Sequence, residues 1–496
     1  MKKSNSPYPD WVLKHRKPKT EIRLIRGKFY VYEVSSTYDK EKKRARKVSG
    51  KYLGRITELE GFVPSDKIKV SKKLKLVNET TLSTKEYGLS AFIQKYCSNI
   101  IDILKIYFPD QWEWMLVCLY ARLVHSSPIK NITYYYNRSY LSETLDISVN
   151  TNRLRDLLKD LGKNRQPMID FMKSFMGSSV ALIDATSIVS HSKNLVRNHL
   201  GKTKVGSYEP LFNLLYFYHP SSYTPAYYRL FDGNIKDVKM IQAAIEESGY
   251  NDALVIADKG FYSEENIKIL EEASLRYIIP LKRNSTFIKS ELFGNLPKGR
   301  QKFLFAERLV YYTSYDLTPK TKGRPKKAPV AKKRILLFID EAMMIKEKKD
   351  FYARMQKHPQ NYTEDDFQEK MNDFGSFAVI TNIQEDEETI YKYYKSRIGV
   401  EVLFDGVKNI LGNDKTYMQN NDTLEGWMFI NHLALQVHHR IYDLLKTHNM
   451  LSEKSIRDFI EYLSDIRIIK VNEQWIMEPM VNEQKKLLKK LGLHIT

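Results

Sequence analysis

Short apolar runs between helical patterns are the feature of this sequence that most restricts its fold. VALID (180–184) and ALVIAD (253–258) both close with aspartate, and RYIIPL (276–281) is a third run of similar length. The aromatic-rich runs FNLLYFYH (212–219) and AYYRLF (226–231) follow one another across a turn. Apolar runs of about four to eight residues are typical of buried strands. Their order along the chain, with helices between the later ones, indicates an α/β layer with a mixed sheet.

The segments around this layer have other patterns. Residues 22–55 alternate around a charged turn, which predicts a basic β-hairpin, and residues 84–177 have helical spacing. Residues 282–334 interrupt the layer with strand-like pieces around a basic linker. Further elements are predicted as helices at 341–357, 386–411 and 424–446 and a strand at 377–382. We predict a basic β-rich N-terminal DNA-binding region (1–80), a helical domain (81–177), the first part of the α/β core (178–281), a basic β-rich insertion (282–375), the second part of the core (376–446) and a short helical tail (447–496).

The positive charge of the chain is concentrated in two segments. The net charge is +21, yet residues 1–55 hold 17 Lys and Arg against 5 acids, and residues 282–334 hold 15 against 3. Both segments interleave this charge with aromatic side chains, such as Tyr30 and Tyr32 in the first. Cations and aromatic rings together suit contact with nucleic-acid backbones and bases. A role in solubility alone predicts a dispersed excess of charge, so a nucleic-acid partner is the favoured interpretation.

The composition disfavours several classes of protein. Cys97 and Cys118 are too few for a disulfide framework or a cysteine-rich zinc site, and their apolar surroundings predict buried free thiols. No apolar run approaches the roughly 18–20 residues of a membrane span. The first residues lack the apolar core of a secretory signal, and the chain has no glycine-rich phosphate loop. These features predict a cytoplasmic protein with no membrane partner.

Four residues of the predicted helix 386–411 combine three kinds of phosphate- and metal-binding group. Tyr394, Arg397, Glu401 and Lys408 follow the spacing Y-x2-R-x3-E-x6-K. Because a helix turns about 100° per residue, all four lie within about 60° on one side of it. A carboxylate can hold a divalent metal while Arg, Lys and Tyr bind phosphates around it. The alternative is an amphipathic helix with a solvated charged face.

Two further carboxylates complete a possible metal site. Asp184 and Asp258 each close an apolar run, and ligand sites in α/β sheets lie beyond strand ends. Either aspartate alone can also cap the turn that follows its strand. Combined with Glu401, they give three carboxylates that can hold two divalent cations about 3.5–4 Å apart. Such an arrangement performs in-line cleavage and transfer of phosphodiesters.

These motifs resemble those of insertion-sequence transposases of the DDE type, in the insertion-sequence-four superfamily with its YREK signature. ALIDATS, IADKGFYS and YYKSRIGVEVLFDGVK match its three motifs in order, and YRLFDGNIKDV matches the stretch before the second. The resemblance covers about residues 180–440. It implies an RNase H-like catalytic core that a β-rich insertion interrupts, at 282–375 in this chain.

The resemblance also implies the site and its partners. The catalytic residues would be Asp184, Asp258 and Glu401, which would bind two Mg²⁺ ions that Mn²⁺ can replace. The DNA-binding residues of the signature would be Tyr394, Arg397 and Lys408. The expected partners are double-stranded DNA, as terminal inverted repeats and target, and a second copy of the chain in a homodimer. The protein would act in a prokaryotic cytoplasm, at the nucleoid.

The chain departs from the family pattern in two places. Lys259 stands where many relatives have arginine, and the insertion contains no tryptophan to hold a flipped base. The aromatic side chains that would have to replace it are Phe303, Phe305, Tyr311 and Tyr312. GRPKK (323–327) resembles a minor-groove hook, although five residues in a basic linker are a weak signal. The histidines predicted to be packing or surface residues rather than metal ligands are His432, His438 and His439.

The expected function is therefore a DNA transposase that cuts at the ends of its element and joins them to target DNA. Two alternatives stay open at this point. One is a nuclease on the same RNase H-like core, which would cut without joining. The other is a non-catalytic DNA-binding protein derived from a transposase.

Overall fold

The structure is a computed structural model with side chains. It describes residues 7–39, 43–65, 83–176, 181–202, 206–219, 224–235, 237–250, 253–257, 261–286, 288, 301–317, 332–410, 412, 415–416, 418–471 and 473–495. None of the helices in this part of the chain has both the length and the apolar character that crossing a membrane requires.

The elements are numbered in chain order. The first half contains α1 (Asp10–Leu13), β1 (Thr20–Ile25), β2 (Lys28–Asp39), β3 (Arg44–Thr57), β4 (Gly61–Pro64), β5 (Ser83–Glu86), α2 (Gly88–Tyr96), α3 (Ser98–Tyr107), α4 (Trp112–His125), α5 (Ile132–Arg138), α6 (Leu141–Thr144), α7 (Thr151–Lys163), α8 (Gln166–Lys173), β6 (Ala181–Ser190), β7 (His199–Lys202), β8 (Tyr208–His219), β9 (Thr224–Asp232) and α9 (Asp237–Ser248). The second half contains β10 (Ala253–Ile256), α10 (Glu264–Glu272), β11 (Arg276–Leu281), β12 (Lys302–Phe305), β13 (Arg308–Leu317), β14 (Lys333–Asp340), α11 (Glu341–Lys357), α12 (Glu364–Glu369), β15 (Ser376–Thr381), α13 (Glu387–Asp405), β16 (Lys415–Thr416), α14 (Asn421–Thr447), α15 (Ile456–Ser464), β17 (Arg467–Val471), β18 (Gln474–Met477) and α16 (Asn482–Lys490).

The chain divides into two compact units, of which the smaller comprises residues 1–84 and 468–478. Its main element is an antiparallel sheet in the order β1-β2-β3-β4. The alternating pattern of residues 22–55 therefore belongs to a four-stranded sheet, in which β2 and β3 form the longest pair. One face is covered by a small core of Val12, Ile22, Val31 and Ile56.

The C-terminal segment differs from the sequence prediction. Residues 447–496 were expected to be helical, but β17 and β18 form an antiparallel hairpin within them. The prediction fails here because RIIKV is rich in β-branched residues, which favour strands, and because the left-handed φ of +68° at Glu473 reverses the chain. The helical part of the prediction holds for α15 and α16.

The helical region of the larger unit packs closely against α14. A Cβ added at Gly426 would lie 2.0 Å from the carbonyl oxygen of Leu158, so this contact between α14 and α7 requires glycine. Cys97 and Cys118 are buried free thiols in this region, as predicted. Burial raises the pKa of both to about 12, so neither thiol ionises near neutral pH.

A mixed sheet of eleven described strands forms the centre of the larger unit, which confirms the α/β prediction. Its order is β12-β13-β14-β15-β11-β10-β6-β8-β7, with β9 beside β8 and β16 beside β6. Strands β10 and β11 run parallel to β6, whereas β8 runs antiparallel to it. Tyr216, Tyr218, Tyr227 and Tyr228 of β8 and β9 are fully buried, so helices cover this part of the sheet.

The strands of the predicted insertion do not form a separate sheet. The strands β12, β13 and β14 extend the central sheet, because β14 pairs with β15 along its length. In sequence these strands stand between β11 and β15, as the predicted insertion does, but in space they belong to the central sheet. Residues 335–339 of β14 are buried on both faces, a requirement for a strand in the middle of a covered sheet. The basic linker with GRPKK lies outside the described residues.

Candidate functional site

The site centres on an opening along one edge of β6. On this edge, β10 pairs with the start of β6 as far as Val255↔Ile183, and β16 pairs with its end from Lys415↔Val189. No described strand pairs with residues 184–188 of β6 between these two neighbours. The opening therefore begins at Asp184.

Asp184 does not end its strand as the sequence predicts. The strand continues to Ser190, and Asp184 lies opposite Tyr216 of the neighbouring β8. The strand continues because ATSIVS keeps pairing with β8 after the parallel neighbour β10 has diverged. Asp184 is consequently held on both sides by regular backbone, yet its side chain remains about a quarter exposed. Its Oδ1 accepts a hydrogen bond of 2.8 Å from the backbone N–H of Ala185.

A cavity of about 110 Å³ adjoins Asp184. Residues from the end of β10 and the loop after it, Ala257 and Phe261, line it together with Ile183 and Ala185. Asp258 and Lys259 lie between these lining residues in sequence, but both are outside the described residues. Among the described residues, which do not include Asp258, no group of three acidic, histidine or cysteine side chains is arranged to hold a metal ion.

The helix α13 brings the signature residues to Asp184. A guanidinium nitrogen of Arg397, Nη2, lies 3.9 Å from Asp184 Oδ2, at the outer limit of an ion pair. The Nε of Arg397 is buried and has no hydrogen-bond partner among the described residues. The Arg397 side chain as a whole is 23% exposed, so part of the guanidinium can be reached by another oxygen, such as that of a phosphate.

Tyr394 and Glu401 flank Arg397 on the same helix. Burial raises the pKa of Tyr394, Arg397 opposes that shift and Glu401 adds to it, which shows that the three groups interact. Tyr394 also stacks on Phe377 of β15, with ring centroids 5.2 Å apart. Glu401 is exposed and lies one helical turn beyond Arg397. The structure thus brings Arg397 beside Asp184, and Tyr394 and Glu401 lie on the same helix as Arg397.

Lys408 occupies a different kind of helix from the one predicted. The α-helix ends at Asp405, and residues Gly406–Ile410 continue as a π-helical turn. The assumption of 100° per residue therefore fails for Lys408, whose angular position the sequence could not give. Single π-helical turns are frequent at functional sites. This turn leads from α13 towards β16 and so back to the edge of β6.

A glycine fixes the distance between α13 and the sheet. A Cβ added at Gly399 would lie 2.5 Å from the ring of Tyr218, which is fully buried on β8. Further along the helix, the ring of Phe404 packs edge-on against that of Tyr216 at 6.2 Å. These contacts place two successive turns of α13 over the strand that pairs with Asp184.

A buried aspartate anchors the first half of α13, and the sequence analysis did not identify it. Asp340 is 1% exposed, accepts a hydrogen bond of 2.6 Å from the Tyr391 hydroxyl and pairs with Lys395 Nζ at 3.0 Å. The Nε of Arg308 lies 3.4 Å from its other oxygen. The sequence signal existed, since KRILLFID ends in aspartate as ALID and VIAD do.

The aromatic residues that would have to replace the missing tryptophan pack against other side chains in this structure. Phe303 and Phe305 both contact the ring of Tyr391, at centroid distances of 5.2 and 5.1 Å. The hydroxyl of Tyr311 donates to Glu341, and Tyr312 packs on Phe303. These strands therefore support α13, and their rings are only half-exposed.

Other charged and titratable groups of the larger unit are structural. His432, His438 and His439 are buried in α14, as predicted, and burial lowers the pKa of His432 to about 3. The sequence analysis missed a second charge cluster, in which Arg165 and Arg197 bind the two oxygens of Glu425 at 3.0 and 2.7 Å. This cluster joins α8 and the loop after β6 to the start of α14.

The family model described as "Transposase DDE domain" matches residues 176–437, slightly more than half of the chain. No curated protein matches the sequence significantly. Among solved structures, the chain is similar to a piggyBac transposase in a synaptic complex with hairpin DNA, at 12% identity, covering 73% of this chain and 70% of that one. The TM-score of 0.37 does not establish a shared fold.

We expect Gly399→Ala to destabilise the protein by about 1–3 kcal/mol, because the new methyl group overlaps the buried Tyr218 ring. In an exposed helix the same substitution stabilises by up to about 1 kcal/mol, so the sign of the effect is diagnostic. Chemical denaturation would measure it, with Ile398→Ala as the control because Ile398 is 59% exposed. Gly399→Ala as stable as the unaltered protein would contradict the close approach of α13.

We expect Asp340→Asn to lower the free energy of unfolding at neutral pH by about 2 kcal/mol, because two cations lose their shared carboxylate. Although burial opposes it, hydrogen bonds from Tyr391 and Lys395 lower the pKa of Asp340. A lowered pKa means that the stabilisation is present above the ordinary value of about 3.9 and is lost as the pH falls below it. The free energies of unfolding of the variant and the unaltered protein, measured against pH, should therefore become equal in acid. Asp365→Asn, at an exposed position, is the matched control, and a constant difference at all pH values would exclude this role.

Proposed function

Because this chain belongs to the family of transposases with a DDE domain, we propose that it cuts and joins DNA at the terminal inverted repeats of an insertion sequence. The observation that carries this proposal is the contact between Asp184 and Arg397, at the opening where β10 leaves β6. The contact joins the first acidic motif to the signature helix, although the two lie more than two hundred residues apart in sequence. The YREK pattern further supports membership of the insertion-sequence-four superfamily.

The proposed metal ligands are Asp184, Asp258 and Glu401. Asp184 and Glu401, the two of these residues that the structure describes, fit a hard divalent cation, because both are carboxylates with solvent access. Asp184 also borders a cavity large enough for water. Two Mg²⁺ ions, which Mn²⁺ could replace, would supply activation of the attacking oxygen and stabilisation of the leaving oxygen. The rigid strand β6 would hold Asp184, and the packed helix α13 would hold Glu401.

The proposed reaction has two steps. In hydrolysis, a water oxygen attacks the phosphorus at the element's end, the bond to the 3′ oxygen breaks and that oxygen receives a proton. The products are a 3′-hydroxyl on the element and a 5′-phosphate on the flanking DNA. In strand transfer, the 3′-hydroxyl attacks a phosphodiester of target DNA and displaces a 3′ oxygen there. Tyr394, Arg397 and Lys408 would bind phosphates during both steps.

The arrangement of the sheet supports an RNase H-like core. On one side of β6, β8 pairs antiparallel with β6 and β9 pairs antiparallel with β8; on the other side, β10 and β11 run parallel to β6. We propose that residues 178–281 and 376–446 form this core and that the N-terminal region (1–80), the helical domain (81–177) and the basic segment 282–375 contribute DNA contacts. A homodimer on paired ends, acting on nucleoid DNA in the cytoplasm, is the corresponding assembly.

We expect Glu401→Gln and Asp184→Asn each to reduce Mg²⁺-dependent cleavage on the order of 10³-fold, because each removes a metal ligand worth several kcal/mol. The assay would incubate the protein with a duplex carrying the element's end, with Mg²⁺ or with EDTA. Glu388→Gln is the matched control, since Glu388 lies on the same helix and pairs with Lys392 at 2.7 Å. Normal cleavage by either site variant would remove that residue from the proposed triad.

The same assay separates the alternatives. A nuclease would release the end but give no strand-transfer product when supplied with a precut end bearing a 3′-hydroxyl. A non-catalytic DNA-binding protein would bind the end tightly and cut it with neither Mg²⁺ nor Mn²⁺.

We expect Arg397→Ala and Lys408→Ala each to weaken end binding and to reduce the slope of log affinity against log salt by about 0.9, because each removes one phosphate contact. Binding titrations at several salt concentrations would measure the slope. Arg457→Ala is the control, since Arg457 is 87% exposed on α15 and pairs with Glu461. If all three variants had the same slope as the unaltered protein, Arg397 and Lys408 would have no phosphate role.

A further inference from the structure

The strands β2 and β3 extend beyond the sheet that holds them. β1 pairs with β2 only as far as Glu33, and β4 pairs with β3 only from Gly54 onwards. Apart from the N–H of Val34, which donates to the carbonyl of Lys19 at 2.8 Å, the backbone of residues 34–38 of β2 and 45–49 of β3 pairs only within this two-strand segment in the described chain. We call this two-stranded part the ribbon, and residues 35–38 and 45–49 are all exposed.

The ribbon buries almost no apolar area. A two-stranded hairpin by itself is marginally stable in water, because it has no hydrophobic face to cover. The sheet at its base explains how the ribbon forms, but nothing in its own composition explains why it is this long. Long exposed ribbons also present free edges, which proteins usually shorten or cover. A partner that covers the ribbon would account for its length.

The two faces of the ribbon differ in charge and in hydrogen-bonding groups. Thr37 lies opposite Arg46, and because side chains alternate along a strand, Ser35 and Arg44 share their face. Arg44 lies directly opposite Asp39, whereas Arg46 lies opposite the neutral Thr37 and has no ion-pair partner among the described residues. On the opposite face, Lys47 is already paired with Glu21 at 2.7 Å. The face with the exposed Arg46 is thus the one available to an anionic partner.

We propose that the ribbon enters the major groove of duplex DNA and that its Thr37–Arg46 face contacts base edges. Two strands about 4.8 Å apart with their side chains fit a groove about 12 Å wide, whereas the minor groove, about 6 Å wide, is too narrow. The deep, narrow major groove of duplex RNA is excluded on the same ground. Arginine binds the O6 and N7 atoms of guanine and threonine binds either base type, so this face can read sequence. The inference rests on the proposed function, because it assigns the recognition of the element's end to the ribbon.

The test compares the full chain bound to two duplexes, one from the element's end and one of scrambled order with the same composition. Arg46→Ala should reduce the preference for the end duplex by about 5- to 100-fold. Thr37→Val, which changes no charge, should reduce that preference without changing the salt dependence. Arg16→Ala removes an exposed arginine of the same unit outside the ribbon, so it should weaken both duplexes equally. Circular dichroism would establish that every variant is folded.

Guanine methylation at N7 gives an independent result, since N7 lies in the major groove. Methylation within the end duplex should block binding by the unaltered protein and should have less effect on Arg46→Ala. Equal losses for Arg46→Ala and Arg16→Ala on both duplexes would overturn the proposal and leave the ribbon as a general basic surface. A change from dimer to monomer with unchanged DNA preference would overturn it in favour of contact with a second copy. If the unaltered protein did not prefer the end duplex at all, the proposed recognition of the element's end would fail. This outcome is distinguishable from the two above, because it is seen without any substitution.

Discussion

The close approach of α13 to the central sheet at Gly399 is the constraint on which the candidate site depends. Since no side chain separates the helix from the ring of Tyr218, two turns of α13 lie directly over β8. β8 is the neighbour of β6, so this contact also determines how far Arg397 and Glu401 lie from Asp184. A larger residue at position 399 would move the helix away from the sheet, and the carboxylates on strand and helix would then separate. The geometry of the site is therefore a consequence of helix packing, before any ligand contributes.

The strands that the sequence assigned to an insertion also help to position α13 on the central sheet. β12 to β15 continue the central sheet and present aromatic side chains to the first half of α13. Tyr391 of α13 packs among them, against Phe303 and Phe338. Asp340 then fixes the helix on this surface through Tyr391 and Lys395. Breaking a buried charge cluster of this kind is costly, because the remaining charges lose their partners in a poorly solvated place. The cluster gives α13 one preferred position along the sheet. The site needs this, because its side chains on α13 must be held at fixed distances from Asp184.

Much of this architecture could be predicted from the sequence, for identifiable reasons. RYIIPL occupies β11 at the predicted residues, and the helix predicted at 341–357 is α11, because short apolar runs and strong helical spacing are local signals. The hairpin β17–β18 and the end of β6 were missed, since each depends on which strand lies beside it. The place of β14 within the central sheet is a tertiary fact of the same kind. The π-helical turn at 406–410 has no sequence signal that periodicity can detect, and it changes the position of Lys408.

Three apolar runs of this chain end in aspartate, and the structure shows why that signal alone does not identify a site. Asp340 is enclosed by a phenol, two cations and the first N–H groups of a helix, so its charge is fully compensated within the protein. Asp184 accepts a hydrogen bond from the backbone N–H of Ala185, lies 3.9 Å from the Arg397 guanidinium and borders a cavity, and its side chain is 25% exposed where that of Asp340 is 1% exposed. The difference lies in burial and in access to a cavity, and both are set by segments far apart in sequence. A single sequence cannot supply that difference, which is why the family motifs were needed to choose between the aspartates. The same reasoning applies to the arginines, since Arg165 and Arg197 bind Glu425 while the exposed Arg46 has no ion-pair partner among the described residues.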